Sequence, residues 1–223
     1  MYENISTMRK NKVFCLIFTL ICITNAWSQE WRFGVTAGYE NTGAAWFQEG
    51  VKKELRNISG FNAGPVVAYD FIDYFSLQSG LYFAMNGFET SSHSILWNKY
   101  DVVTSEKTTL YYLQLPIFAM GKLPIGQVNL LLEAGPILSY GVASHTSTQI
   151  RVGNQTETYN SSDAFNESLY PFNCSIHLGA GAEISGARLI VGYNFGVFDI
   201  GRDTKNNNDM KTSGFVVSAA YLF

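Results

Sequence analysis

The chain has 223 residues, of which 15% are charged, 15% are aromatic and 20 are glycine, and its formal net charge is -3. Typical soluble domains have roughly 25% charged residues, so this composition suits a lipid-facing surface better than a wet one. The acidic balance argues against a nucleic-acid partner. No run of about 20 apolar residues could cross a bilayer as a helix, so any membrane span must consist of strands.

The N-terminal segment has the pattern of a secretory signal peptide. Basic residues precede an apolar run over 13–23 that is too short to span a membrane, and small residues then lead to Ser28. We predict that residues 1–28 are removed and that 29–223 form a single domain. Cys174 is then the one remaining cysteine, which excludes a disulfide within the mature chain.

Large apolar residues alternate with small or polar ones in eight segments of the mature chain. In the first segment, WRFGVTAGYE, the large residues run from Trp31 to Tyr39, and the opposite face is mostly glycine with Arg32 and Glu40 at its ends. Alternation with period two predicts strands. The predicted strands cover 31–40, 61–69, 75–86, 111–120, 128–141, 174–184, 188–197 and 213–223.

Short and long connections alternate between these strands. We predict short turns at 71–73, 121–126 and 185–187, and long loops at 41–59, 89–106, 143–171 and 198–212. This rhythm is typical of an eight-stranded antiparallel up-and-down transmembrane β-barrel in the outer membrane of a Gram-negative bacterium, with both termini periplasmic and the long loops outside. The large apolar face then meets lipid, and we expect the longest loop, 143–171, to be mobile.

The opposite face lines an interior that is only wide enough for side chains. We predict that Arg32 and Arg188 pair there with Asp70 and Glu183, because unpaired interior charges are costly. The full set of predicted interior polar residues is Arg32, Asp70, Gln78, Gln114, Glu133, His177, Glu183 and Arg188.

Two prolines break the strand pattern. Pro116 and Pro136 lie inside strands that a closed barrel pairs on both sides, and each removes one hydrogen-bond donor from the sheet. We expect a bulge or a shifted register beside each.

Four segments resemble the PorT-like outer-membrane β-barrel family of Bacteroidetes, whose members are often labelled porin-family proteins: YLQLPIFAM (112–120), EAGPILSYG (133–141), IHLGAGAEI (176–184) and the terminal SAAYLF. The resemblance covers the mature chain and implies a barrel rather than an activity. Phe223 resembles the terminal signal that outer-membrane assembly machinery reads. Some family members resemble accessory factors of a secretion system. In the family the residue at Gln114 is often glutamate.

Candidate chemistry is sparse. Ser175 and His177 on one inward face could make the acyl-transfer pair of a lipid-modifying enzyme, although interior polar filler is the simpler interpretation. The segment DIGRDTKNNND offers oxygen ligands, but a calcium loop starting at Asp203 would have Asn208 at its sixth position and Gly214 at its twelfth. We therefore predict no catalytic, cofactor or metal site.

Aromatic residues in the long loops are candidate binding anchors, or else they lie at the membrane interface: Trp46, Phe47, Trp97 and Tyr100. The favoured function is a non-catalytic barrel that anchors or binds a partner through its loops. A small-solute channel is less favoured because eight strands leave a filled interior. The predicted partners are outer-membrane lipid, the assembly machinery and an extracellular or secretion-system protein.

Overall fold

A computed structural model of the chain describes residues 30–48, 51–96, 100–153, 155–162, 164–201 and 209–223. The predicted signal peptide lies outside the described residues. Within them no helix is long and apolar enough to cross a membrane. The elements are β1 (Glu30–Gln48), β2 (Val51–Glu54), β3 (Arg56–Ile72), β4 (Phe75–Gly80), β5 (Tyr82–Leu96), β6 (Tyr100–Ile125), β7 (Val128–Val152), β8 (Gln155–Ser161), α1 (Ala164–Glu167), β9 (Phe172–Ile184), β10 (Ala187–Gly196) and β11 (Asp209–Leu222).

The strands close into a barrel because β1 pairs antiparallel with both β3 and β11. Val35, for example, lies opposite Pro65 on β3 and Tyr221 on β11. From β1 the wall continues through β11, β10, β9, β7 and β6 to β4 and β5, which together occupy one position, and then to β3. Because β2 and β8 lie outside this ring, the described wall has eight strands, which confirms the predicted fold. Closure satisfies the backbone groups that lipid cannot.

The connections at one end of the barrel are tighter than predicted. Two residues join β3 to β4, β6 to β7 and β9 to β10, because the strands continue into the predicted turns. In the last of these turns, Ser185 and Gly186 have φ angles of 50° and 84°, as in a type I′ hairpin. Glu30 pairs with Asp70 and the Leu222 N–H donates to the Gly186 carbonyl, so both ends of the described wall lie at this turn end.

The opposite end of the barrel, which we call the outer end, carries the connections predicted as long loops. Their structure differs more from the prediction than that of the short turns. Where we predicted loops, β5, β6 and β7 continue as paired strands, so that β6 has 26 residues and β7 has 25. Residues 143–171 contain the end of β7, the hairpin strand β8 and α1, so the prediction of one long loop over these residues was wrong. These extensions are rich in serine and threonine and lack an apolar face, so hydrophobic alternation does not reveal them.

The two faces of the wall are oriented as the alternation predicts. Trp31 and Leu132 point outward and are 62% and 69% exposed, whereas Arg188 and Glu133 point inward and are 3% exposed. A sheet that carries apolar residues outward and polar residues inward matches a barrel whose surrounding solvent is lipid.

The prolines do not shift the register. The pairing of β6 with β7 keeps one register through both Pro116 and Pro136, and its shift lies beside Tyr111 instead. On its other side, β6 pairs with β4 as far as Ser79 and with β5 from Tyr82 onward. Pro116 lies opposite the break between these two strands. A local gap between β4 and β5 therefore accommodates the missing N–H of this proline.

Candidate functional site

An ionic layer crosses the barrel interior near the turn end. Arg32 Nη1 donates to Glu183 Oε1 over 2.9 Å, and Arg32 Nε lies 3.0 Å from Asp70 Oδ2 without hydrogen-bond alignment. Arg188 contacts Glu183 through its Nε and donates to Gln78 Oε1 over 2.6 Å through its Nη1. The structure thus brings together five of the residues predicted for the interior, and each of the two carboxylates has a basic partner.

Lys122 also belongs to this layer, although the sequence analysis did not predict it as an interior residue. Its Nζ donates to Asp70 Oδ1 over 2.6 Å, and the side chain is 5% exposed. The predicted turn at 121–126 includes this lysine, whereas β6 continues to Ile125. Continuing the alternation two residues beyond Met120 would have placed Lys122 on the inward face.

His177 forms a second layer closer to the outer end. Its Nδ1 lies 2.7 Å from Asn194 Oδ1, and its Nε2 lies 3.1 Å from Glu133 Oε1. Room for the imidazole depends on glycines, because a Cβ at Gly192 would lie 2.4 Å from the ring and one at Gly179 would lie 2.6 Å from it. Sequence reasoning placed His177 and Glu133 inside the barrel but did not predict this pairing.

The arrangement around His177 does not form the acyl-transfer pair considered from the sequence. Both ring nitrogens face Asn194 and Glu133, so neither is free to act as a base for Ser175. The imidazole is held as part of the packing.

Glu40 is a further buried carboxylate in the same region, at 1% exposure. Asn62 donates to its Oε1 over 2.7 Å and Asn86 to its Oε2 over 3.3 Å, so amides rather than cations satisfy it. Such hydrogen bonds offset part of the cost of burying the group.

A cavity of about 40 Å³, lined by both polar and apolar side chains, lies between these layers. Gln114, Glu40 and Tyr82 are among its lining residues. Two further lining atoms, Glu133 Oε2 and Arg188 Nη2, have no hydrogen-bond partner among the described residues. A volume of this size admits a few water molecules but no organic substrate.

The outer mouth is closed by an apolar group of residues, the outer cluster: Ala44, Leu55, Phe88, Leu110, Tyr112, Phe165, Leu169, Ile200 and Met210. Phe165 on α1 packs edge-on against Tyr112, with ring centroids 5.5 Å apart, and lies over Gly141, where a Cβ would come within 2.3 Å of the ring. The Gly141 N–H donates to the Pro171 carbonyl over 2.7 Å, which holds this segment across the mouth.

Asp199 fastens the last connection to the outer cluster. Its Oδ1 accepts hydrogen bonds from the N–H groups of Gly201 and Met210 over 2.9 and 2.8 Å. This carboxylate therefore has a structural role, whereas Asp203 and Asn208 lie outside the described residues. Within the described part of the chain, no group of three or more His, Cys, Asp or Glu side chains could hold a metal ion.

The predicted loop anchors and terminal signal lie elsewhere. Trp97 is outside the described residues, as are the side chains of Trp46, Phe47 and Tyr100. Phe223 is 75% exposed on the outside of the barrel at the turn end, and its N–H donates to the Phe33 carbonyl over 2.8 Å. Its role in assembly stays a prediction.

Comparisons with known proteins give one family. The profile of the family described as outer membrane protein beta-barrel domain matches residues 27–202. No curated protein was found to match the sequence. Similar solved structures include Ail, the attachment invasion locus protein of Yersinia pestis (17% identity, 87% of this chain and 99% of that chain, TM-score 0.39). A second is Neisserial surface protein A (12% identity, 86% of this chain and 97% of that chain, TM-score 0.39). A third is a major outer membrane protein from Thermus thermophilus (13% identity, 86% of this chain and 99% of that chain, TM-score 0.41).

Proposed function

The chain belongs to the outer membrane protein beta-barrel domain family and is located in the outer membrane, and from this premise we propose that it is a non-catalytic, closed barrel that holds a β-structured extension at the cell surface for binding a partner. In this proposal the outer end is extracellular and both termini are periplasmic. Membership of the PorT-like group, a source in Bacteroidetes and the signal peptide stay predictions from the sequence.

Aromatic side chains on the outer wall mark the height of the lipid band. Near the turn end, the ring centroids of Trp31 and Tyr69 lie 4.7 Å apart. Nearer the outer end, Phe83 stacks on Tyr111 and makes a tilted contact with Phe61. Tyr69 and Phe61 are eight residues apart on β3, which corresponds to about 26 Å along the strand and about 20 Å across a membrane at a tilt of roughly 40°. This distance approaches the usual apolar band of about 25 Å.

The observation that carries the proposal is the length of the strands beyond this band. A tilted strand needs only about 9 to 11 residues to cross a membrane. Strand β6 has 26 residues, and β5 and β7 pair with it up to Tyr100 and Val102. A membrane anchor alone requires no such extension, because closure completes its hydrogen bonding within the band.

The interior supports a closed barrel over a channel. The ionic layer, the His177 layer and the outer cluster lie one above another, and the cavity of about 40 Å³ between them is too small to serve as a solute path. The absence of catalysis is part of the proposal and is supported by the engagement of both His177 nitrogens.

Epitope insertion at opposite ends of the barrel tests the orientation. One tag is inserted after Gly153, in the turn between β7 and β8, and a matched tag after Gly126, in the turn between β6 and β7. Both glycines have positive φ, at 57° and 64°, and both lie in two-residue turns. Antibody binding to intact cells and to permeabilised cells is then compared.

We expect the tag after Gly153 to be detected on intact cells and the tag after Gly126 only after permeabilisation. Exposed turns tolerate insertion, so both variants should assemble. The reverse labelling pattern would place the extension in the periplasm and overturn the proposal.

A further inference from the structure

We propose that the free edge of β8 pairs with the same edge of a second copy of this chain, and that the pairing joins barrels embedded in two facing membranes. This inference rests on the proposed function, because it requires β8 to lie outside the cell. The register of β8 and its own sequence favour a second copy as the occupant of this edge.

Strand β8 has one paired edge and one open edge among the described residues. It pairs with β7 alone, from Gln155 opposite Val152 to Ser161 opposite Thr146, and all seven of its side chains are exposed. Its sequence, QTETYNS, contains neither the proline nor the lysine that often protects an edge strand. Its outward backbone groups can therefore pair with another strand.

The turn that precedes β8 determines which backbone groups point outward. Two residues connect β7 to β8, and Gly153 has a φ of 57°. In a hairpin of this kind the last pair, here Val152 and Gln155, is hydrogen-bonded, and bonded and non-bonded pairs alternate from there. The N–H and C=O groups of Thr156, Thr158 and Asn160 consequently point away from β7.

These outward groups are arranged symmetrically about Thr158. In an antiparallel copy centred there, Thr158 faces the partner subunit's Thr158 and Thr156 faces the partner subunit's Asn160. Every outward group of the strand is then paired, in about six hydrogen bonds. Centring on Glu157 would instead set two carboxylates directly opposite each other, which is destabilising. Centring on Tyr159 would leave Thr156 beyond the end of the partner strand.

Side chains on the adjacent positions are also self-complementary. Tyr159 donates its hydroxyl to Glu157 Oε2 over 2.6 Å, and this hydrogen bond, with the charge of the carboxylate, raises the pKa of Tyr159. The hydroxyl therefore stays a donor at neutral pH. In the two-fold pair each Glu157 lies opposite the partner subunit's Tyr159, so two donors and two acceptors meet without like charges in register.

Symmetry gives the direction of the second barrel. Two identical antiparallel strands in one sheet are related by a two-fold axis perpendicular to that sheet. Because β8 pairs with the outer part of β7, it lies in the same sheet as that wall strand. The perpendicular to this sheet lies roughly in the plane of the membrane. Rotation about this axis turns the second barrel upside down, so that its membrane faces the first one.

Cysteine cross-linking between two vesicle populations tests the pairing. Full-length protein carrying Cys174→Ser is purified from outer membranes and reconstituted into two sets of phosphatidylcholine vesicles with different affinity tags. After mixing and mild oxidation, Thr158→Cys should give dimers that carry both tags, because the two Cα atoms would lie about 5.5 Å apart, within disulfide range. Thr156→Cys alone should give none, whereas Thr156→Cys in one set and Asn160→Cys in the other should cross-link.

A proline variant provides an independent measurement. The Thr158 N–H points away from β7, so Thr158→Pro removes no hydrogen bond from the hairpin. It should lower vesicle clustering roughly tenfold or more, because two interchain hydrogen bonds are lost, while Thr158→Ala retains them. Equal clustering of both variants would overturn the proposal.

Equal cross-linking at all positions, or dimers confined to one vesicle population, would also overturn it. Surface labelling of the tag after Gly153 together with no dimers at Thr158→Cys would refute self-pairing and leave the proposed function intact. Failure of that labelling would instead overturn the proposed function.

Discussion

At the scale of single residues, Glu183 holds the ionic layer together. Its two carboxylate oxygens contact different guanidinium groups, Oε1 that of Arg32 and Oε2 that of Arg188. The Arg188 side chain is 1% exposed, so without this carboxylate it would be a buried cation whose remaining partner is the neutral Gln78. Desolvation makes such a cation costly.

Glu183→Gln should therefore lower the free energy of unfolding by about 3 kcal/mol. The matched control is Glu89→Gln, because Glu89 lies 3.9 Å from an Arg56 side chain that is 76% exposed. Exposed pairs of this kind contribute about 0.5 kcal/mol or less. Urea titration of both variants folded into lipid vesicles measures the difference, and equal losses would contradict the role assigned to Glu183.

The sequence predicted which residues face inward more fully than it predicted their partners. Strand parity alone places Arg32, Asp70, Glu183 and Arg188 on one face. Partners across the barrel depend on the stagger between strands, which the closed wall determines and the alternation does not. The contact of His177 with Glu133 and Asn194 was therefore not predictable, although the direction of the imidazole was.

At the scale of the strands, β7 passes from the lipid band into the outer extension. Leu132, near its start, is 69% exposed on the lipid-facing side, and Tyr140 lies eight residues further on. Val152 ends the same strand, beyond the band, and is 39% exposed. The same strand therefore has one exposed apolar side chain in lipid, Leu132, and one in water, Val152.

Leu132→Arg should destabilise the folded barrel by about 2 kcal/mol, because an arginine inside the apolar band is costly. Val152→Arg should change stability by less than about 0.5 kcal/mol, as surface substitutions usually do. Folding into vesicles followed by denaturant titration compares the two. A larger loss at Val152 would show that the band has been placed wrongly.

Helix α1 is held at the mouth by a fit between Phe165 and Gly141. Gly141→Ala should loosen this segment, because the added Cβ would lie 2.3 Å from the ring. Phe165→Ala should cost about 3 kcal/mol through lost packing. In the double variant the two losses should not add, since the methyl group then occupies space left by the ring. A double-mutant cycle of unfolding free energies tests this, and additive losses would refute the contact.

Elements outside the lipid band were the part that the sequence predicted least well. The outer parts of β5, β6 and β7 and all of β8 are held by backbone pairing between polar strands, so they carry no hydrophobic period. The eight wall strands were predictable because each must present an apolar face to lipid. Beyond the lipid band a strand needs no apolar face, so the hydrophobic pattern stops there.

At the scale of the whole molecule, the interior is closed by three layers of different chemistry. The ionic layer around Glu183 and the His177 layer are polar, and the outer cluster around Phe165 is apolar. The two polar layers share β9 and β10 but use different side chains of these strands, and the outer cluster includes Phe165 of α1. A barrel of eight strands has little room that these side chains do not fill.

The purified protein should therefore show no steady conductance in planar bilayers, and neither should the double variant Phe165→Ala/Leu169→Ala, which removes two side chains of the outer cluster. The double variant separates two explanations of closure. If the outer cluster were the only plug, removing its two large side chains would produce long-lived openings, whereas a barrel filled along its length stays closed.

Open channels in the unchanged protein would refute the closed interior, and openings confined to the variant would show that the polar layers conduct ions. We expect the same baseline current for both proteins, because the contacts of Arg32, Lys122 and Arg188 with their carboxylates lie below the altered layer and do not involve it.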